Sequence, residues 1–229
     1  MKIKQWGEEV WEEKVKSQGG VGVVSGTNAS LLDVKKKVKE FFNIFDKNFV
    51  SFIPKEGKIL DCGVGPLATH AIEFSKRGYQ VTGVDISKTA LDFAKKEAER
   101  FKQKINFEKD NLVDLNNVKG QFDLVFCAGT FGHIPAYLAL DTIRAFKRKT
   151  KRNGVIVIHF WIEKPKTFSN VIKNFLYQIG HIIKRSLNMN AFNVNCVSYT
   201  EEEIGDLCNR SNLRIVKKVY DYYLLREIN

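Results

Sequence analysis

Apolar and polar positions form different patterns in different parts of this chain. Between residue 31 and Phe49, apolar side chains recur every three or four positions, which predicts an amphipathic helix with one buried face. From Lys58 onward, strand-like apolar runs alternate with helical segments, an order typical of βαβ units and a parallel sheet. After Thr200, a capping box and a helix lead into two strand-like runs that predict a final antiparallel hairpin.

These elements predict one α/β domain over residues 1–229, with a Rossmann-like three-layer sandwich as its fold. The predicted sheet has seven strands, mostly parallel, and the antiparallel hairpin closes it. A helical cap completes the domain. The predicted parts are an N-terminal helical cap over 1–50, a core over 58–160, an inserted lid over 163–195, and a C-terminal helix with the hairpin over 196–229.

Composition supports a folded protein and adds a question about charge. Hydrophobic residues make up 44% and charged residues 28% of the 229 residues, as in a core-forming chain. The net charge of +11 invites a polyanion or an anionic membrane as partner. The most basic stretch, 144–152, joins a helix to the following strand, at the sheet edge opposite to ligands, so a solubilising role is favoured over nucleic-acid binding. The basic amphipathic segment 167–187 leaves peripheral membrane contact open, but a substrate cap is favoured.

The cysteines and the first residues bear on location. The four cysteines have no CxxC spacing, so we predict no metal site and no secreted disulfide scaffold. Residues 1–16 lack the apolar core of a signal peptide, and no run approaches the roughly 18 apolar residues of a spanning helix. We therefore expect a cytoplasmic protein.

The strongest chemical signal is a strand that ends in a glycine turn and opens a helix. Gly63 and Gly65 let the backbone approach a ligand at this point. With Ala68, and with Asp85 further along the chain, they also satisfy the loose dinucleotide fingerprint, so a nicotinamide cofactor has to be weighed.

Two residues of the turn disfavour a dinucleotide. Asp61 would place a carboxylate beside a pyrophosphate, and two anions repel each other in a partly desolvated site. Pro66 removes a backbone donor that a pyrophosphate would use. A cationic ligand that lacks phosphate suits this charge pattern better. S-adenosylmethionine, which carries an ammonium and a sulfonium group, is such a ligand.

Residues 58–160 resemble the class I S-adenosylmethionine-dependent methyltransferases of the small-molecule type, with four motifs in order: ILDCGVG, GVDIS, DNL and FDLVFCA. The resemblance implies that this core binds S-adenosylmethionine and releases S-adenosylhomocysteine. In such enzymes the first motif holds the methionine part, the second the ribose, and the third the adenine amino group. The implied cofactor-binding residues are Asp61, Cys62, Gly63, Gly65, Asp85, Ile86, Asp110, Asn111, Leu112, Cys127 and Ala128.

The methyl acceptor is expected at the end of the fourth strand, where His133 follows. An imidazole suits deprotonation of a hydroxyl or amine, so His133 is the candidate general base, and His159 is a second histidine that can face the same cleft. The strand lacks both an Asp/Asn-Pro-Pro-aromatic motif and a Pro-Cys nucleophile, which disfavours base methylation of DNA. Asp123 starts its strand and is expected to be structural.

The prediction is therefore methyl transfer by direct displacement to a small, partly hydrophobic molecule. The alternatives are an RNA or protein methyltransferase, an NAD-dependent oxidoreductase, and an inactive protein that binds S-adenosylmethionine. The sequence leaves open the acceptor, the methylated element and the oligomeric state.

Overall fold

The computed structural model describes residues 7–17, 31–162 and 197–228. The predicted lid over 163–195 and the glycine-rich stretch near residue 20 lie outside these ranges. Within them, no helix combines the length and the apolar character needed to cross a bilayer.

Seven strands form one mixed sheet, which confirms the predicted fold class. The sheet order is β3-β2-β1-β4-β5-β7-β6; the first five strands in this order run parallel, and β7 pairs antiparallel with both β5 and β6. The strands are β1 (Lys58–Cys62), β2 (Gln80–Asp85), β3 (Asn106–Lys109), β4 (Phe122–Cys127), β5 (Thr150–His159), β6 (Leu213–Val219) and β7 (Tyr222–Glu227).

Helices cover both faces of this sheet and create two separate cores. The helices are α1 (7–17), α2 (Leu31–Asn48), α3 (Thr69–Lys76), α4 (Lys88–Arg100), α5 (Ala139–Lys149) and α6 (Glu201–Arg210). Apolar residues of α2, α3 and α4 pack on one face, and those of α5 and α6 pack on the other. Alternate residues of the central strands point into each core, as the two-residue strand period requires.

Capping explains several helix boundaries. Thr200 accepts from the backbone N–H of Glu203, and the Glu203 carboxylate accepts from the backbone N–H of Thr200, so the predicted capping box is confirmed. At α4, the Ser87 hydroxyl oxygen accepts from the backbone N–H of Ala90. Ala68 precedes α3 in a left-handed conformation and gives no side-chain cap.

Two predicted boundaries around β5 differ from the structure. The apolar pattern after β4 predicts a helix that starts at Pro135. The helix begins instead at Ala139, because residues Ala136–Leu138 form a tighter 3-10 turn. The apolar run that starts at Gly154 predicts a strand from that residue. The strand begins instead at Thr150, where Thr150 pairs with Phe122 before a register shift. This polar first half of β5 lies next to the edge of the sheet that faces away from the glycine turn.

Candidate active site

The carboxyl ends of β1, β2, β4 and β5 meet at one edge of the sheet. Strand β2 is the neighbour of β1 on one side, and β4 is its neighbour on the other side. The strand order therefore reverses direction between β1 and β4, which makes this position a topological switch point. Ligands of open α/β sheets bind in the crevice at such a point. The predicted site residues from these strands are therefore brought to one place.

The glycine turn after β1 is held from two sides. The backbone N–H groups of Gly63 and Val64 both donate to the carbonyl of Val84, at 2.8 and 3.0 Å. On the other side, the hydroxyl of Thr130 donates to the carbonyl of Gly63 at 3.3 Å. Gly63 has φ +76°, and a Cβ there would lie 2.3 Å from the Thr130 hydroxyl oxygen. Only glycine fits this position.

Asp61 is the buried charge of the site. Its side chain is 3% exposed and accepts a hydrogen bond from the backbone N–H of Ala71 in the first turn of α3. Burial, assisted by the charge of Asp85, outweighs that bond and raises the pKa of Asp61 to about 7. None of the described basic residues forms an ion pair with this carboxylate. Asp61 therefore fits a ligand that brings a positive charge, and its contact with the cofactor stays a prediction.

Asp85 at the end of β2 braces the glycine turn. One carboxylate oxygen accepts from the backbone N–H of Gly65 and the other from that of Ser87, both at 3.0 Å. Burial is the main cause that raises the pKa of Asp85; these amides oppose it, and the charge of Glu12 adds to it. Ile86, the next residue, lies beside α1, within 3.8 Å of where a Cβ on Gly7 would stand.

Helix α1 lies across this edge and supplies Glu12, a residue for which the sequence carries no functional signal. The Glu12 carboxylate accepts from the Ser87 hydroxyl at 2.8 Å and from both the hydroxyl and the backbone N–H of Thr89. Burial alone would raise the pKa of Glu12, but these hydrogen bonds lower it to about 2. Glu8 of α1 pairs with Lys109 at the end of β3. Sequence patterns carry no signal for a contact that spans 75 positions.

The third predicted motif forms a tight loop after β3. The Asp110 carboxylate accepts from the backbone N–H groups of Asn111, Asn117 and Val118, at 2.8, 2.6 and 3.0 Å. The Asn111 side chain accepts from the backbone N–H of Val113 at 3.0 Å. Leu112 is buried in the core on the α5 face. Asp110 therefore shapes this loop, and its predicted adenine contact stays a prediction.

Cys62, Cys127 and Ala128 stand at the ends of the two central strands. The side chains of both cysteines are fully buried in the core on the α5 face, and burial raises the pKa of each thiol. Ala128 packs against the core on the opposite face. The two cysteines can therefore offer the crevice only their backbone.

His133 stands between two tryptophans. Its ring centroid lies 5.0 Å from that of Trp11 on α1 and 4.9 Å from that of Trp161, which follows β5. Gly132 permits this packing, because a Cβ there would lie 2.2 Å from the Trp161 ring. Burial, assisted by the charge of Lys14, lowers the pKa of His133 to about 4. The imidazole is therefore uncharged at neutral pH.

The residues that flank the predicted lid also meet at His133. Ile162 and Tyr199 form a β-bridge, and the backbone N–H of Val197 donates to the carbonyl of Gly132 at 2.6 Å. The chain thus leaves β5 and returns to α6 directly beside the loop that carries His133.

The basic stretch 144–152 lies at the other end of the sheet, and several of its side chains are used within the protein. Arg144, Arg148 and Lys149 donate to backbone carbonyls of neighbouring loops, Lys147 pairs with Glu227, and Lys151 pairs with Asp123. Asp123 also accepts from the backbone N–H of Lys58 at 2.8 Å, which agrees with its predicted structural role. These five basic residues therefore have partners within the protein, and the solubilising role of the stretch stays a prediction.

Comparison with known proteins agrees with this geometry. Residues 59–154 match the family model described as a methyltransferase domain. A Bacillus subtilis protein named "putative methyltransferase YqeM" is 28% identical over 109 residues, which cover 46% of this chain and 42% of YqeM. A ubiquinone biosynthesis O-methyltransferase of Coxiella burnetii is 35% identical over 85 residues, 36% of each chain. The matched region thus spans less than half of the length of these relatives.

Solved structures extend the likeness of the fold over nearly the whole chain. Magnesium protoporphyrin IX methyltransferase from Synechocystis PCC 6803, with bound SAM, superposes with a TM-score of 0.61 at 16% identity, covering 95% of this chain and 94% of that one. The PH0226 protein from Pyrococcus horikoshii gives 0.64 at 17% identity, covering 93% and 96%. Residues 59–154 thus match a methyltransferase-domain model, and the chain shares the fold of these two solved structures.

Proposed function

We propose that this protein transfers a methyl group from S-adenosylmethionine to a small molecule by direct displacement. The observation that carries the proposal is Asp61, a buried carboxylate without a basic partner among the described residues, next to a glycine turn at the switch point of the sheet. The family match over residues 59–154 and the cofactor named in the Synechocystis structure support the same ligand.

In this proposal, different residues of the chain contact different parts of the ligand. Asp61 holds the ammonium group, and Asp85 accepts hydrogen bonds from the ribose hydroxyls through lone pairs that its two amide contacts leave. Ile86 flanks the adenine, and the loop shaped by Asp110, Asn111 and Leu112 closes its far side. The backbone around Cys62, Gly63, Gly65, Cys127 and Ala128 borders the reacting end.

The chemistry itself needs positioning more than a reactive side chain. S-adenosylmethionine supplies a methyl carbon on a sulfonium; the acceptor forms a bond to that carbon while the carbon–sulfur bond breaks and its electron pair stays on sulfur. Trp11 and Trp161 exclude water from the acceptor and hold it in line. A covering role of residues 163–195 stays a prediction. We expect a partly hydrophobic acceptor, because aromatic rings surround His133. A cytoplasmic location stays a prediction.

Ligand-dependent stability tests the cofactor. S-adenosylmethionine and S-adenosylhomocysteine, each at 100 times its dissociation constant, are expected to stabilise the protein by about 2.7 kcal/mol, measured as a thermal shift. NAD at the same concentration serves as the matched control and is expected to give no shift. Stabilisation by NAD alone would overturn the proposal in favour of an oxidoreductase, and no shift with any ligand would exclude cofactor binding.

His133 is proposed as the general base, and its environment gives a pH dependence. Because the pKa of His133 is lowered to about 4, the basic, unprotonated form prevails above about pH 5. An acceptor is first found by screening phenols, amines and carboxylic acids. Protonation of His133 is then expected to cause no loss of turnover as the pH falls from 8 to 6. His133→Ala is expected to reduce kcat by roughly a hundredfold.

S-adenosylhomocysteine affinity separates this role from damage to the site, since His133→Ala is expected to leave that affinity within about twofold. Full turnover by His133→Ala would exclude the base. Cofactor binding by the wild type without turnover of any screened acceptor would favour the inactive binding protein.

A further inference from the structure

Three of the chain's four histidines lie at the ligand-binding edge, on two different walls. His133 belongs to the wall built by α1 and the residues after β4 and β5. His70, in the first turn of α3, and His159, the last residue of β5, belong to the opposite wall, on the face that α2 covers. The residue pattern indicates His159 as a residue that can face the cleft but carries no signal for His70.

Aromatic rings surround these two histidines. The ring centroid of His70 lies 5.3 Å from that of Phe41 and 5.2 Å from that of Phe126. The ring centroid of His159 lies 4.8 Å from that of Tyr222, which itself is 5.0 Å from Phe41. Phe41 thus connects both histidines into one wall that reaches the end of β4.

The imidazole of His70 has no hydrogen-bond partner among the described residues, because its surroundings are largely apolar. Burial, assisted by the charge of His159, lowers the pKa of His70 to about 4. Burial also lowers the pKa of His159, and the charge of Asp221 opposes that effect. The neighbouring groups from α2 and β4 are uncharged phenylalanines. His70 is therefore a neutral ring with its hydrogen-bonding capacity unused within the described ranges.

The chemistry of the ligand indicates what His70 contacts. An α-amino acid carries its ammonium and carboxylate groups on the same carbon, so the residues that hold them must be neighbours. Asp61 accepts a hydrogen bond from the backbone N–H of Ala71, and His70 directly precedes Ala71. A ligand whose ammonium lies against Asp61 therefore brings its carboxylate close to the first turn of α3.

The negative charges at this edge favour such a contact. Four carboxylates at this edge are buried or partly buried: Asp61, Asp85, Asp110 and Glu12. A further carboxylate is repelled by them unless a donor or a cation receives it. His70 offers an N–H donor in this region, and a bound carboxylate stabilises the protonated ring.

We propose that the imidazole of His70 binds the carboxylate of the amino-acid part of S-adenosylmethionine, an inference that rests on the proposed function. His159 lies on the same wall, and its charge opposes protonation of His70 when both rings are exposed to low pH. At neutral pH, burial keeps the His70 ring uncharged.

The test compares two ligands that differ only in this carboxylate. S-adenosylhomocysteine has it, and decarboxylated S-adenosylhomocysteine keeps the ammonium group and lacks it. His70→Phe preserves an aromatic ring against Phe41 and Phe126 but removes the donor. Calorimetry is expected to show a tenfold to hundredfold loss of S-adenosylhomocysteine affinity in His70→Phe, and no change for the decarboxylated ligand. His70→Gln, which keeps an N–H donor, is expected to restore most of the affinity.

If His70 had a purely structural role, His70→Phe would weaken the binding of both ligands equally. That result would overturn the inference. Equal S-adenosylhomocysteine affinity in His70→Phe and the wild type would overturn it as well, while the proposed function stands. A wild type that binds neither ligand would overturn the proposed function itself.

Histidine NMR of the wild type gives a second measurement that needs no folded Phe variant. The His70 resonance, assigned from the His70→Gln spectrum, is expected to titrate well below pH 6.5 in the free protein. Its midpoint is expected to rise by at least one pH unit with S-adenosylhomocysteine and to stay unchanged with the decarboxylated ligand. An unchanged midpoint with both ligands would contradict the inference. His159→Phe is expected to raise the His70 midpoint in the free protein, which a packing role of His159 alone would not do.

Discussion

Asp61→Asn is expected to make the ligand-free protein more stable at pH 8 while weakening S-adenosylhomocysteine binding by at least tenfold. The folded protein raises the pKa of Asp61 from 3.8 to about 7, so it binds the proton more tightly than the unfolded chain does. Stability of the ligand-free wild type therefore falls as the pH rises from about 4 to 7. A pKa difference of this size corresponds to about 4 kcal/mol.

Asparagine imitates the protonated carboxyl group at every pH and can still accept from the backbone N–H of Ala71. Urea unfolding is therefore expected to show a stability advantage of Asp61→Asn that approaches about 4 kcal/mol above pH 7 and vanishes near pH 4. Asp123→Asn is the matched control at the opposite edge. It removes the ion-pair partner of Lys151 and is expected to bring no stabilisation at any pH. A variant at position 61 that is less stable than the wild type at pH 8 would refute the buried-charge interpretation.

Binding adds a second readout for the same residue. Protonation of Asp61 competes with the ligand's ammonium, so wild-type affinity for S-adenosylhomocysteine is expected to fall below pH 7, by up to tenfold per pH unit. The Asn variant is expected to bind weakly and to lose this component of the pH dependence. Calorimetry between pH 5.5 and 8 measures both slopes, and parallel slopes would exclude Asp61 as the titrating group.

Gly63→Ala is expected to produce the second large effect, on both stability and binding. The left-handed backbone at φ +76° disfavours a side chain by about 1 kcal/mol. The new Cβ would also lie within 2.6 Å of three Thr130 atoms, and relief of that clash moves the loop after β4 at a further cost of about 1–3 kcal/mol. Because the same loop borders the crevice, S-adenosylhomocysteine binding is expected to be lost.

Gly78→Ala provides the control for backbone strain alone. Gly78 has φ +86°, but a Cβ there would have no atom within 4 Å, and the residue lies at the far end of α3. It is expected to cost only about 1 kcal/mol and to leave binding unchanged. Chemical denaturation and calorimetry on the two variants separate strain from the clash. Equal losses in both variants would show that Thr130 does not restrict position 63.

The sequence predicted the parts of the site whose position follows from topology. Asp61 and Asp85 each stand at the end of a parallel strand, and neighbouring parallel strands bring such residues to one edge. The apolar pattern did not predict where β5 begins, because its first residues are polar. These residues form a strand because Thr150 pairs with Phe122 of β4.

Other site residues were beyond sequence reasoning because tertiary contacts create their environment. His70 acquires its apolar surroundings from Phe41 of α2 and Phe126 of β4, which no local pattern connects with it. Glu12 becomes part of the site through hydrogen bonds to Ser87 and Thr89. The predicted lid over 163–195 lies outside the described residues and stays a prediction.

The contacts of α1 determine when this helix can dock as the chain folds during synthesis. Residues 7–17 leave the ribosome long before Ser87, Thr89 and His133, the partners of Glu12 and Trp11. An isolated helix of this length is only marginally stable in water. Helix α1 therefore docks only after β2, the start of α4 and the loop after β4 are in place. A segment translated early is thus among the late parts to reach its final position.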